Sequence, residues 1–169
     1  MPRTERRGDG GGLMKLGDIV IREAIATELA GEQRDEVITE LVDQLIAAGA
    51  APAASRDDIV KAVLQREATN TTGFGKGVAV PHVKHKTVSK TVAAIGLSQR
   101  GIEFQSMDKQ PVYSVFLLLS PDNRPEEHLQ AMEAIFRNLS KEAFRRSLRQ
   151  AGGADDVCAL IDEADGGTS

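Results

Sequence analysis

Apolar residues recur at helical spacing in three stretches of the chain. Between residues 35 and 48, six apolar side chains fall at i, i+1, i+4, i+5, i+8 and i+9, which predicts a helix with one buried stripe. A second stripe follows Ser55. Pro125 favours the start of a third helix, and shorter helices are predicted after Ser140 and from Asp155. The buried stripe of the third helix is predicted to contain Leu129, Met132, Ile135, Phe136 and Leu139.

Strand patterns lie between the second and third helices. Residues 78–80 form a short apolar run, and residues 91–97 continue through a turn at 100–101. Residues 112–120 are almost wholly apolar, which predicts a strand buried on both faces. A weak alternation over residues 25–29 predicts one earlier strand. The predicted order is strand, two helices, three strands, then helices, which favours a layered α/β or α+β domain.

Composition narrows the class of protein. The chain has 169 residues, of which 41% are hydrophobic and 27% charged, as expected for one globular domain. The formal net charge of −4 argues against nucleic-acid binding and against attraction to anionic membranes. Cys158 is the single cysteine, so a disulfide framework within one chain is excluded. Residues 1–13 lack an apolar core and are predicted to be a flexible tail, not a secretory signal. Without a long apolar run, a cytoplasmic location is expected.

The stretch GFGKGVAVPHVKHK, residues 73–86, contains the first candidate for chemistry. His82 follows a proline at the end of a predicted strand, and three upstream glycines permit close approach of a ligand or partner. A phosphoryl group on this ring would add about two negative charges. Nearby basic residues would offset those charges: Lys76, Lys84 and Lys86. The alternative is an ordinary surface histidine among solvated lysines. The glycines match neither common phosphate-loop pattern, which favours a plain turn.

Three further residues are candidates. His128 lies in the first turn of the Pro125 helix, where the helix dipole favours a neutral ring and a nearby anion. The alternative is a histidine at the core edge, satisfied by a backbone carbonyl. Arg66, near the end of the second helix, has a planar guanidinium suited to phosphoryl oxygens, but helix-end arginines are commonly just exposed. His85 lies close to His82, yet no third metal ligand is evident, so no metal site is predicted.

Several of these motifs together resemble one family. The pair Arg66-Glu67, the run TGFGKGVAVPHVK and the run PEEHLQAMEAIFRNL resemble the IIA domain of the fructose/mannitol type of the bacterial phosphotransferase system (PTS), which includes the nitrogen-regulatory IIA protein. The resemblance covers about residues 14–163, with residues 164–169 as a C-terminal tail. One departure is Val83, where many members have glycine or alanine.

The resemblance implies a three-layer α/β/α sandwich around a mixed sheet. It also implies that His82 is phosphorylated by the phosphocarrier HPr or its paralogue, with His128 and Arg66 beside the phosphoryl group. Neither a metal nor another cofactor is required. The phosphoryl group would pass to a IIB component or signal to a regulatory target, and the nitrogen-regulatory type is favoured over a sugar-permease subunit. A non-catalytic protein-binding module on the same fold is the alternative of another class. Phe74 and Val83 flank His82 in sequence and are predicted to form an apolar docking surface.

Overall fold

The structure, a computed structural model, describes residues 13–166. The predicted flexible tail therefore lies outside the described residues except for Leu13, as do residues 167–169. In chain order the elements are α1 (Leu16–Ile19), β1 (Val20–Ala26), α2 (Arg34–Ala47), α3 (Arg56–Thr69), β2 (Gly73–Gly75), β3 (Val78–Ala79), β4 (His82–His85), β5 (Val92–Ile102), β6 (Val112–Pro121), α4 (Pro125–Leu139), α5 (Glu142–Gln150) and α6 (Ala154–Gly166).

The strands form one mixed sheet. Its order is β1-β5-β6-β3-β2, and β4 also pairs with β6. β5 runs parallel to β1 and antiparallel to β6, whereas β3 and β4 both run parallel to β6. The apolar run predicted at 112–120 is the central strand β6, and it is buried along almost its whole length. The prediction of an α/β fold around a mixed sheet is confirmed.

Helices cover both faces of this sheet and produce two separate cores. The first core joins α2 and α3 to one face, with Val37, Ile38, Leu41, Ile59 and Val63 buried against strand residues that include Leu117 and Leu119. The second core joins the other helices to the opposite face, where Ala131, Ile135, Leu148 and Ile161 pack around Phe116 and Leu118. Alternate residues of β6 thus enter different cores, as the two-residue period of a strand requires. Within residues 13–166, no helix is both long and apolar enough to cross a membrane.

The structure corrects several details of the predicted elements. The first strand is Val20–Ala26, so residues 27–29 lie beyond it. The predicted turn at 100–101 is instead an irregularity within β5, with Gly101 at φ 95°. Two short strands, β2 and β4, were not predicted. The helix α6 continues to Gly166, so residues 164–166 belong to it and not to a tail. On α4, Leu129 is 60% exposed and is not part of the buried stripe.

The glycine-rich stretch is a β-hairpin and not a phosphate loop. β2 and β3 pair antiparallel, and the turn residues Lys76 and Gly77, like Gly75 at the end of β2, have positive φ. Two successive residues of positive φ give the tight turn that suits the twist of a hairpin. Lys76 adopts this geometry without being glycine, and its backbone N–H donates to Asp108 Oδ2 at 3.3 Å. The hairpin brings Phe74 to the edge of the sheet.

Candidate functional site

His82 begins β4, just after an interruption in the strand that pairs with β6. β3 and β4 pair with β6 in one continuous register, with Val78 opposite Ser114 and His82 opposite Leu118. Val80 and Pro81 break the strand between them, but the Leu118 N–H still donates to the Pro81 carbonyl at 3.0 Å. The backbone of His82 is therefore fixed by the sheet, and its ring is half-buried.

The hydrogen bonding of His82 determines its tautomer. Nδ1 lies 2.8 Å from the carbonyl oxygen of Val80. Because a carbonyl only accepts, Nδ1 must carry the proton, and in the neutral ring Nε2 then has a free lone pair. Burial is the main cause that lowers the pKa of His82, and the positive charges of Arg66 and Lys84 lower it further. The Val80 carbonyl and Glu67 oppose this shift. The result at neutral pH is an uncharged imidazole with a nucleophilic Nε2.

The second histidine faces the first. The ring centroids of His82 and His128 are 5.5 Å apart, with an angle of 48° between the ring planes. Nδ1 of His128 lies 2.7 Å from Ser120 Oγ, so its partner is a hydroxyl and not the backbone carbonyl considered above. Burial, followed by the charges of His82 and Lys84, lowers the pKa of His128 to about 4. When the Ser120 hydroxyl donates to Nδ1, the proton of the neutral ring is on Nε2, which becomes a donor.

Arg66 approaches from the last turn of α3. Its Nη1 donates to the Asn70 carbonyl at 2.9 Å, and its charge acts on His82. The sequence candidates His82, His128 and Arg66 therefore converge, although they come from a strand and two helices on opposite faces of the sheet.

Glu67 was not predicted to be a site residue and stood out only as part of the Arg66-Glu67 pair, yet it is central to the local structure. It is 2% exposed, and its carboxylate accepts from the Thr72 N–H at 2.6 Å, the Thr72 hydroxyl at 2.7 Å and the Thr71 hydroxyl at 3.0 Å. The Thr72 carbonyl in turn accepts from the Val80 N–H at 3.3 Å. Glu67 thus ties the end of α3 to the residue that orients His82. Its sequence signal is an acidic residue followed closely by two threonines, the groups that donate to a buried carboxylate.

The residues after His82 alternate between the two faces of the sheet. Val83 is half-buried against the first core, so it does not belong to a docking surface around His82, contrary to the prediction. His85 also lies on the side away from His82, where its Nδ1 contacts the Thr87 hydroxyl at 2.8 Å. Lys84 lies on the same side as His82. Within residues 13–166, no group of three or more His, Cys, Asp or Glu side chains has the arrangement of a metal site.

Four apolar side chains, at the β2 edge of the sheet and on α4, are exposed or half-buried. Phe74 is 45% exposed and packs edge-on against Phe136 of α4, with 4.9 Å between ring centroids. Leu129 follows His128 on the same helix, and Met107, 65% exposed, donates its N–H to the Gly73 carbonyl. We call Phe74, Met107, Leu129 and Phe136 the apolar rim. Apolar groups around a polar centre are typical of a protein-docking surface.

The family model and the relatives that match this chain all indicate the same protein family. The family described as phosphoenolpyruvate-dependent sugar phosphotransferase system, EIIA 2, matches residues 19–164. The fructose-specific EIIA component of Haloferax volcanii is 35% identical, and the nitrogen regulatory protein of Bradyrhizobium diazoefficiens is 34% identical. Each alignment covers 88% of this chain and 95% of the relative. The fructose-specific EIIABC component of Bacillus subtilis is 30% identical over 90% of this chain, but the chain spans 24% of that protein's length.

Solved structures show the same fold. The nitrogen regulatory protein IIA-Ntr of Neisseria meningitidis superimposes with a TM-score of 0.77 at 26% identity, covering 86% of this chain and 97% of that one. The IIA mannitol domain of Escherichia coli, solved in complex with phosphorylated IIB mannitol, has a TM-score of 0.71 at 24% identity, covering 83% and 94%. On the match over residues 19–164 and these relatives, the chain belongs to the EIIA 2 family of the phosphoenolpyruvate-dependent sugar phosphotransferase system.

Proposed function

We propose that this chain is a phosphoryl carrier in which Nε2 of His82 accepts a phosphoryl group from phosphorylated HPr or its paralogue. The observation that carries the proposal is the 2.8 Å contact between His82 Nδ1 and the Val80 carbonyl, which leaves Nε2 as the free nucleophile. In the transfer step, a bond forms between phosphorus and Nε2. The bond between phosphorus and the donor breaks, and its electron pair stays with the donor.

The surroundings of His82 suit this step because phosphoryl transfer depends mainly on positioning and charge stabilisation. Arg66 and Lys84 create a positive potential, which lowers the pKa of His82 and also attracts an anionic phosphoryl group. His128, kept neutral by its low pKa, donates one hydrogen bond from Nε2 when Ser120 donates to its other nitrogen. The Nδ1–H bond to Val80 holds the His82 ring in place during attack and supports the positive charge that develops on it.

The apolar rim favours a protein as the binding partner of this surface over a small-molecule substrate. The phosphoryl donor HPr and the acceptor must each reach Nε2 of His82, and the rim provides apolar surface on α4, the helix that carries His128, and on the strand β2. The resemblance of fold to the E. coli IIA mannitol domain, which was solved with its phosphorylated IIB partner, supports a IIB component as one acceptor.

The relatives include both functional types, a fructose-specific component and a nitrogen regulatory protein, at nearly equal identity. The regulatory role favoured by the sequence analysis and the role of a sugar-permease subunit share the His82 step and differ in the acceptor. Discharge of the phosphorylated chain by a IIB domain therefore distinguishes them. A purely protein-binding module would use the same surface without phosphorylation.

The experiment is incubation of the chain with phosphoenolpyruvate, enzyme I and HPr, followed by mass spectrometry of the intact protein. We expect the addition of one phosphoryl group that is stable in base and labile in acid, as expected for a phosphoramidate. His82→Ala should abolish it. His85→Ala is the matched control. Because His85 lies on the opposite side of β4, this variant should be phosphorylated like the wild type. Wild-type phosphorylation of His82→Ala would refute the proposal.

A further inference from the structure

The face of β4 that carries His82 also carries Lys84. Alternate residues of a strand point to the same side, and the register with β6 places His82 opposite Leu118 and Lys84 opposite Ser120. Leu118 is buried in the core that includes α4, and Ser120 contacts His128 of α4. Lys84 therefore projects to the face on which the two histidine rings meet. Its partner across the sheet is Ser120, which hydrogen-bonds to His128.

The side chain of Lys84 is long enough to carry its ammonium group toward the reacting atoms. The α-carbons of residues two apart in a strand are about 7 Å apart, and the lysine head group moves on a flexible four-carbon stem. Lys84 is exposed, so its side chain is free to swing toward Nε2 of His82. Within residues 13–166, its ammonium group forms no ion pair.

A charge count shows what such a group would do. A phosphoryl group on His82 brings about two negative charges. Arg66 supplies one positive charge, and His128, with a pKa of about 4, supplies none at neutral pH. About one negative charge is then left unbalanced unless the ammonium group of Lys84 supplies a second positive charge. The charge of Lys84 also lowers the pKa of both histidines, as expected for a cation close to both rings.

We propose that Lys84 is a further catalytic residue of phosphoryl transfer, whose ammonium group binds the phosphoryl oxygens while they are attached to His82 Nε2. The proposal rests on the proposed function, because it requires phosphorylation of His82. Lys84 neither gains the phosphoryl group nor loses its proton in the step. It contributes a positive charge and hydrogen bonds that strengthen as negative charge concentrates beside Nε2, and so it stabilises the transition state more than the free enzyme.

The test compares three variants with the wild type. Lys84→Met removes the charge and keeps much of the side-chain length, Lys84→Arg keeps the charge, and Lys141→Met removes a charge from an exposed lysine past the end of α4 that is farther from His128. Rates of transfer from phosphorylated HPr are measured in single turnover, and each protein's thermal midpoint is recorded. Rates are taken at low salt and at about 1 M salt, where the Debye length is about 3 Å and long-range attraction between the proteins is screened.

We expect Lys84→Met to slow transfer by about ten- to a hundredfold, below the loss for a fully enclosed donor because the site is open. Lys84→Arg should recover most of the rate, and Lys141→Met should stay within about twofold of wild type. The deficit of Lys84→Met should persist at high salt, and the phosphorylated variant should show a changed ³¹P chemical shift. Equal rates for Lys84→Met and Lys141→Met, or a deficit that disappears at high salt, would overturn the proposal while leaving His82 phosphorylation intact. A wild-type chain that takes up no phosphoryl group would overturn both.

Discussion

Replacing His128 with alanine should slow phosphoryl transfer to His82 while the domain stays folded. The ring of His128 lies 5.5 Å from that of His82 between centroids, and its hydrogen bond to the buried Ser120 hydroxyl fixes its position. Its neutral Nε2–H is the donor that we assign to the phosphoryl group. Alanine removes this donor and leaves Ser120 Oγ without the partner that it has now.

The two consequences differ in size. An unpaired buried hydroxyl costs about 1–3 kcal/mol of stability, which is smaller than the roughly 5–15 kcal/mol of a typical domain. Loss of one donor in an enclosed active site slows a reaction by about 10²–10³, or about 3–4 kcal/mol. Because the ring of His128 is half-exposed and partly screened, we expect a loss at or below the lower end of this range, about ten- to a hundredfold.

The assay measures the rate of transfer from phosphorylated HPr and the thermal midpoint on the same sample. Ile135→Val is a matched control on α4, since it trims a fully buried side chain at a cost of about 0.5–1.5 kcal/mol and leaves both histidines in place. It should lower the midpoint without changing the rate. His128→Gln, which retains a donor, should recover part of the rate. A normal rate in folded His128→Ala would refute the assignment and leave the residue with a structural role alone.

Further predictions follow from other parts of the structure. Arg66→Ala should slow transfer by about ten- to a hundredfold, with little change in midpoint, whereas a normal rate would leave Arg66 outside the site. Leu118→Asp should prevent folding, because a buried unpaired carboxylate costs several kcal/mol; circular dichroism showing an unchanged melting midpoint would contradict this. Phe74→Ala should slow transfer from HPr and cost about 1–2 kcal/mol, less than the truncation of a fully buried phenylalanine; a larger loss at a normal rate would make Phe74 purely structural. The free energy of unfolding should fall as pH drops from 7 to 5, because the pKa values of His82 and His128 lie below 6.5 in the folded state, so the unfolded state binds more protons. Denaturant titrations across this pH range should show a shallower fall for His128→Ala than for the wild type.

Much of the fold follows from local patterns. The stripes of α2, α3 and α4 and the apolar run of β6 are long enough for their periods to be recognised, and the structure places each within a few residues of its prediction. The motif around His82, with Arg66 and His128, is also evident in the sequence because its residues are chemically distinctive. Short elements are not evident: β2 and β4 contain too few residues to show a period, and they form because β3 offers a partner to β2 and β6 offers one to β4.

The chemistry of the site depends on packing between distant segments. No pattern in the sequence predicts that Ser120 holds His128, that the Val80 carbonyl fixes the tautomer of His82, or that Leu129 is exposed at the end of an otherwise buried stripe. These features arise from the register of β4 against β6 and from the position of α4 on the sheet. The sequence therefore determines which reactive residues are present, but the tertiary structure decides their protonation and their neighbours. Both depend on burial and on contacts between residues far apart in the chain.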